Sequence, residues 1–144
     1  KQLDNGLMPV VSPLSCDEAG TLLNINADTV AAAIAAELDA EKMILLTGAA
    51  GVLEDVSDPT SLISYIDRKH LDKLRDTGKL ADGMLPKAAA IDFALAHGVQ
   101  RVHVISYNVA DSLLLEVFTN EGTGTLVVND IAALSPAEQG GTES

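Results

Sequence analysis

The stretch that decides the fold is Thr21–Leu53, TLLNINADTVAAAIAAELDAEKMILLTGAAGVL. Thr21–Ile25 is a short apolar run after the polar turn Ser15–Gly20 and predicts a strand. Asn26 offers an N-cap, and Ala27–Leu38 behind it predicts a helix, with Val30, Ile34 and Leu38 four apart on one inward face. The alanines of that helix would let it lie close to a sheet. Lys42–Thr47 then predicts a buried strand, and Gly48-Ala49-Ala50-Gly51 turns the chain directly after it.

The pattern continues on both sides. Upstream, Leu7–Pro13 (LMPVVSP) is an apolar run bounded by prolines and predicts another short strand. Downstream, Asp67–Thr77 predicts a surface helix with Leu71 and Leu74 inward, ended by Gly78. Pro86 fits the first turn of a helix running to His97, with Ile91 and Leu95 inward and Gly98 behind it. Arg101–Ile105 predicts a strand, Asp111–Phe118 a helix and Thr125–Val128 a last strand. Alternation of this kind implies an α/β fold with parallel pairing through right-handed crossovers. Residues 1–128 read as one unit without repeat or linker. Asn129–Ser144 loses its apolar periodicity and is expected to be a disordered polar tail.

Composition narrows the function. At 144 residues the chain is long enough for one domain with a real core, and 47% hydrophobic residues exclude a mostly disordered one. A net charge of −12 argues against nucleic acid, whose binding needs a basic face. A nucleotide site stays open, because one or two local lysines at a helix N-terminus can hold phosphate. No apolar run reaches the length of a membrane span, and no signal peptide is expected. The single cysteine, Cys16, excludes an internal disulfide and a cysteine metal set. Cytoplasm is the expected compartment.

Two segments carry polar groups suited to chemistry. In Asn24-Ile25-Asn26-Ala27-Asp28 the polar residues alternate with apolar ones where a strand gives way to a helix. Its amides suit a carboxylate or phosphate, and Asp28 suits a cation; plain N-capping explains the same spacing. In Lys79-Leu80-Ala81-Asp82-Gly83-Met84-Leu85-Pro86-Lys87, Lys87 falls in the first turn of a helix. A lysine there is electrostatically unfavourable unless an anion neutralises it, and a transferring phosphoryl group would. A solvated surface lysine is the alternative.

Taken in order, NINAD, the turn Leu45–Leu53, Asp82–Lys87 and Gly122-Thr123-Gly124-Thr125 resemble the C-terminal half of acetylglutamate kinases, in the amino-acid kinase family. The resemblance covers about residues 5–128. It implies an αβα sandwich on a mostly parallel sheet. It also implies transfer of the γ-phosphoryl of ATP to the side-chain carboxylate of N-acetyl-L-glutamate, a step of arginine biosynthesis. Lys87 would stabilise the transferring phosphoryl group and Asp28 would orient the catalytic lysines. Asn24, with Asn26 beside it, would bind the acetylated amino acid. Gly48, Ala49, Ala50, Gly51, Val52 and Leu53, with Lys79, Leu80 and Ala81, would line the nucleotide site. Mg2+ would ride on the ATP phosphates without a protein metal cage.

Gly48 stands where the family's turn usually carries Asp, and Leu23 where a tyrosine often precedes the motif. No Lys-Gly-Gly segment precedes these motifs, so turnover is expected to require a missing N-terminal half, in an enzyme that is a homo-oligomer when complete. His103, Glu116 and Gly122 resemble the feedback site of arginine-inhibited members, where a carboxylate would meet the guanidinium. Two other readings accompany this one: a kinase for an acylated 2-aminoadipate, and a non-catalytic module that binds arginine or nucleotide.

Overall fold

The computed structural model describes residues 2–119 and 122–134. Strands β1 (Leu14–Cys16) and β2 (Leu22–Asn24) form a small antiparallel hairpin. Asp17 shapes its turn by accepting from the amides of Ala19 (2.9 Å) and Thr21 (2.8 Å). There follow α1 (Ala27–Glu37), β3 (Lys42–Thr47), β4 (Tyr65–Asp67), α2 (Arg68–Asp76) and α3 (Leu85–Ala96). The chain continues through β5 (Arg101–Ser106), α4 (Ser112–Phe118) and β6 (Thr125–Val128). The main sheet has the order β3-β5-β6-β4, with β3 parallel to β5 and β4 parallel to β6. Asn26 is the predicted cap of α1, its Oδ1 accepting from the amides of Asp28 (2.9 Å) and Thr29 (3.2 Å).

The core joins Met43, Leu45, Val102, Val104 and Val127 of the sheet to Ala32, Leu71, Leu74, Ala88, Ile91 and Leu95 of α1, α2 and α3. His103 stands between Val102 and Val104, so strand alternation sends it to the opposite face, where α4 meets it. Helices therefore lie on both faces of a mostly parallel sheet. Among the described residues no helix is long and apolar enough to cross a membrane.

Four expectations change. Residues 7–13 form no strand; pairing starts only at Leu14, after Pro9 and Pro13, which have no amide to give a ladder. The inward face of α1 is not Val30–Ile34–Leu38: Ala32 and Ala35 are buried, while Ile34 and Leu38 are 38% and 56% exposed. The close packing of α1 on α3 selects the small side chains for the contact and leaves the large ones outside. Strand β4 is a further element that the sequence pattern does not announce. Finally, β5 and β6 run antiparallel. The seven-residue α4 returns the chain beside the end of β5 that it left, so Thr125 enters opposite Val104. Gly124 permits this entry, since a Cβ there would overlap the Val104 carbonyl.

Asn129 belongs to the packed body, donating to the Leu95 carbonyl (3.3 Å) and accepting from Arg68 (3.3 Å). Ile131–Ala133 makes one 3-10 turn. The rest of the expected tail, residues 135–144, lies outside the described residues.

One polar contact pins α4 to the sheet. The Nδ1 of His103 lies 2.5 Å from one Glu116 carboxylate oxygen, and the amide of Thr123 donates to the other at 3.1 Å. Both side chains are almost fully buried, at 10% and 7% exposure. The His103 hydrogen bond, against the opposing effect of burial, holds the Glu116 carboxyl below its ordinary value of 4.5, with help from the Thr123 amide. A carboxyl whose folded pKa is depressed stabilises the fold above its unfolded pKa, and loses that contribution as pH falls through the folded value. Glu116→Gln is therefore expected to lower unfolding free energy by about 1.5–3 kcal/mol at neutral pH. In urea titrations the gap from the parent protein should shrink as pH falls below 4.5; a gap that is independent of pH would contradict the assignment.

Candidate active site

The two polar segments are brought together. Asp28 lies in the first turn of α1 and Lys87 in the first turn of α3, and the packing of these helices sets the turns side by side. Lys87 Nζ donates to both carboxylate oxygens of Asp28, each at 2.9 Å. The side chains are 17% and 18% exposed, enough to reach a ligand and too little for free solvation. Asp28 is favoured by the N-terminal dipole of α1, whereas Lys87 opposes that of α3. The carboxylate offsets this cost and fixes the ammonium in one place. Asn24 closes β2 on the same approach to α1 and is exposed. The Asn26 oxygen is committed to the cap, which holds Asp28 at the helix start.

The predicted nucleotide segments also meet. Ala49, Gly51, Val52 and Leu53, from the turn after β3, share one apolar pocket of about 50 Å³ with Lys79, Leu80 and Ala81, which precede α3. Gly48 and Ala50 belong to the same turn but do not line it. Val56 and Met84 complete the wall. Met84 could have been read from its place beside Lys87, whereas nothing local marks Val56, which sits in a polar loop. The amide of Val52 donates to Thr125 Oγ1 on β6 at 2.8 Å. A Cβ at Gly51 would lie 2.6 Å from that oxygen, so glycine is needed for the turn to seat against β6. At the rim, Lys79 Nζ is 3.8 Å from Glu54, which His70 approaches at 3.4 Å.

The third predicted cluster is assembled on the other face of the sheet. Both oxygens of Glu116 already have internal partners, His103 on one and Thr123 on the other, with Gly122 exposed beside Thr123. The buried His103 Nε2 has no hydrogen-bond partner among the described residues. A guanidinium entering here would have to displace or share these contacts. Among the described residues no three His, Cys, Asp or Glu side chains gather as a metal site.

Known proteins resemble this chain in sequence and in fold. The acetylglutamate kinase of Caldanaerobacter subterraneus subsp. tengcongensis is 49% identical over 125 residues, which is 87% of this chain and 42% of that protein. The Methanocaldococcus jannaschii acetylglutamate kinase is 44% identical over 89% of this chain and 43% of its own length. The chain thus spans less than half the length of these relatives. Among solved structures, N-acetylglutamate synthase from Neisseria gonorrhoeae, complexed with coenzyme A and L-arginine, superposes with a TM-score of 0.80. It is 28% identical over 90% of this chain and 29% of its own. Carbamate kinase from Giardia lamblia bound to AMP-PNP, at 20% identity, TM-score 0.59 and coverage of 81% and 41%, shares the fold. The amino acid kinase family pattern matches residues 1–106, and the chain belongs to that family.

Proposed function

We propose that this chain is the nucleotide-binding half of an acetylglutamate kinase, an ATP-dependent carboxylate kinase of arginine biosynthesis. In the reaction a side-chain carboxylate oxygen of N-acetyl-L-glutamate attacks the γ-phosphorus of ATP. The bond from phosphorus to the β,γ-bridging oxygen breaks, ADP leaves, and an acyl phosphate forms. The observation that carries this reading is the Lys87 ammonium held by both oxygens of Asp28 between two helix N-termini. Phosphoryl transfer requires charge fixed in advance where negative charge develops, and a lysine anchored in this way supplies it. Asn24 would present its amide to the acylated amino acid. The apolar pocket lined by Ala49, Val52, Leu53, Leu80 and Ala81 would supply part of the wall for a nucleobase, with Lys79 at its rim. Mg2+ would arrive on the phosphates of ATP.

The remainder of the cleft would come from a missing N-terminal half. The identity shared with kinases more than twice as long supports this. The outer edge of β3 also has no paired strand among the described residues. Ile34 and Leu38 of α1 and Leu46 of β3 also expose apolar surface that further polypeptide would cover.

In the complete enzyme, Lys87→Ala is expected to lower kcat by about 10²–10³, the scale for losing one transition-state contact, while the KM for ATP changes much less. Steady-state kinetics coupled to ADP release measures both. An unchanged kcat would remove Lys87 from the mechanism.

Feedback by L-arginine through His103, Glu116 and Gly122 belongs to the same proposal. It draws support from the arginine complex of the structurally similar synthase, and arginine would have to share or replace the His103 and Thr123 contacts of Glu116. Arginine must favour one conformation, since equal binding to two would shift nothing. Glu116→Gln should raise the inhibitory arginine concentration roughly ten- to a hundredfold with uninhibited turnover nearly intact. Inhibition curves that coincide for parent and variant would exclude Glu116 from an arginine site.

A further inference from the structure

Strands β3 and β5 are parallel neighbours with Thr47 opposite Ser106, so the next residues, Gly48 and Tyr107, leave the sheet side by side. The two exits are tied together. The Tyr107 amide donates to the Thr47 carbonyl at 3.0 Å. The Asn108 side-chain amide donates to the Gly48 carbonyl at 2.9 Å. Ser106, in turn, accepts from the Asn108 amide (3.2 Å) at its hydroxyl and from the buried Ser112 hydroxyl (2.7 Å) at its carbonyl. The loop after β5 is thereby fixed over the turn after β3.

The phenol of Tyr107 lies in the space that a side chain at Gly48 would need. A Cβ on Gly48 would stand 2.9 Å from the Tyr107 hydroxyl and 3.4 Å from Cζ. Gly48 carries no positive φ, so its backbone suits any residue, and a side chain there would displace the Tyr107 ring rather than the turn. Yet Tyr107 is 65% exposed. Its hydroxyl therefore rests against the turn without being enclosed by it. One residue further along, Ala49 begins the wall of the apolar pocket. In open parallel sheets, ligands bind beyond the carboxyl ends of the strands, and the phenol stands at that place between two of them.

We propose that Tyr107 is a nucleotide-binding residue, its hydroxyl hydrogen-bonded to an oxygen of the ribose–phosphate part of the nucleotide at the mouth of the pocket. The inference rests on reading that pocket as the nucleotide site. A phenol both donates and accepts, so a ribose hydroxyl and a phosphate oxygen are equally served. Gly48 and Asn108 act as positioning residues, the first by leaving room for the ring and the second by holding the turn beneath it.

The test is calorimetric titration of the complete enzyme and its variants with ADP, adenosine and N-acetyl-L-glutamate. Tyr107→Phe, which keeps the ring, should weaken ADP binding by about three- to tenfold, the worth of one hydrogen bond. N-acetyl-L-glutamate binding and the thermal midpoint should not move. An equal loss for adenosine would place the contact on the ribose, and a loss confined to ADP would place it on phosphate; either supports the proposal. Gly48→Ala should weaken ADP binding in the parent protein and much less in Tyr107→Phe, since the crowded hydroxyl is gone. Unchanged ADP affinity in Tyr107→Phe, with the parent binding ADP, would overturn the role of Tyr107 and leave the pocket standing. A parent enzyme that binds no ADP would remove both.

Discussion

The contact on which the site depends is the packing of α1 against α3. Both helices bury alanines, Ala32 and Ala35 on one and Ala88, Ala90 and Ala94 on the other. Small side chains on both permit a close approach that leucines would prevent by overpacking. It is this approach that sets the first turns of two helices, 59 residues apart in sequence, near enough for Lys87 to grip Asp28. A larger residue in place of these alanines would push the two first turns apart, and Asp28 and Lys87 with them. The cap supplied by Asn26 serves the same end, because it fixes where α1 begins and so where Asp28 stands.

A second constraint is the parallel pairing of β3 with β5. Parallel strands end at the same side of a sheet, and here their ends carry the turn of residues 48–53 and the loop that begins at Tyr107. Strand β6, though antiparallel to β5, reaches this turn as well, since Thr125 accepts the Val52 amide. The turn is thus held both by the loop after β5 and by β6. The segment from Lys79 to Met84 arrives from α2 and closes the pocket. The Lys87–Asp28 pair and the apolar pocket adjoin, because Met84 of the pocket wall immediately precedes the helix that carries Lys87.

Much of this was legible in the sequence, and the reasons it stopped are physical. Local signals were reliable where one residue does one local job: Asn26 as a cap, Pro86 in a first turn, Lys42–Thr47 as a strand. The inward face of α1 was not legible, because hydrophobicity favours Ile34 and Leu38 while close packing favours alanine. The direction of β6 depends on where a short helix releases the chain, which periodicity does not record. Asp28 and Lys87 were identifiable as residue types in suggestive positions, but their union is a tertiary fact. Val56 joins the pocket wall and Tyr107 rests against Gly48 through contacts with segments distant in sequence, and no spacing marks them.

If Asp28 acts by holding the Lys87 ammonium, the two side chains form one functional unit rather than two. The most direct measurement is a double-mutant cycle on kcat in the complete enzyme, with Asp28→Asn, Lys87→Ala and the pair combined. If Asp28 acts only through Lys87, its loss adds nothing once the lysine is gone, so the double variant should be about as slow as Lys87→Ala alone. Losses that multiply, with the double variant slower by the product of the single effects, would show that the two residues act independently. That result would contradict the ion pair as the centre of the site.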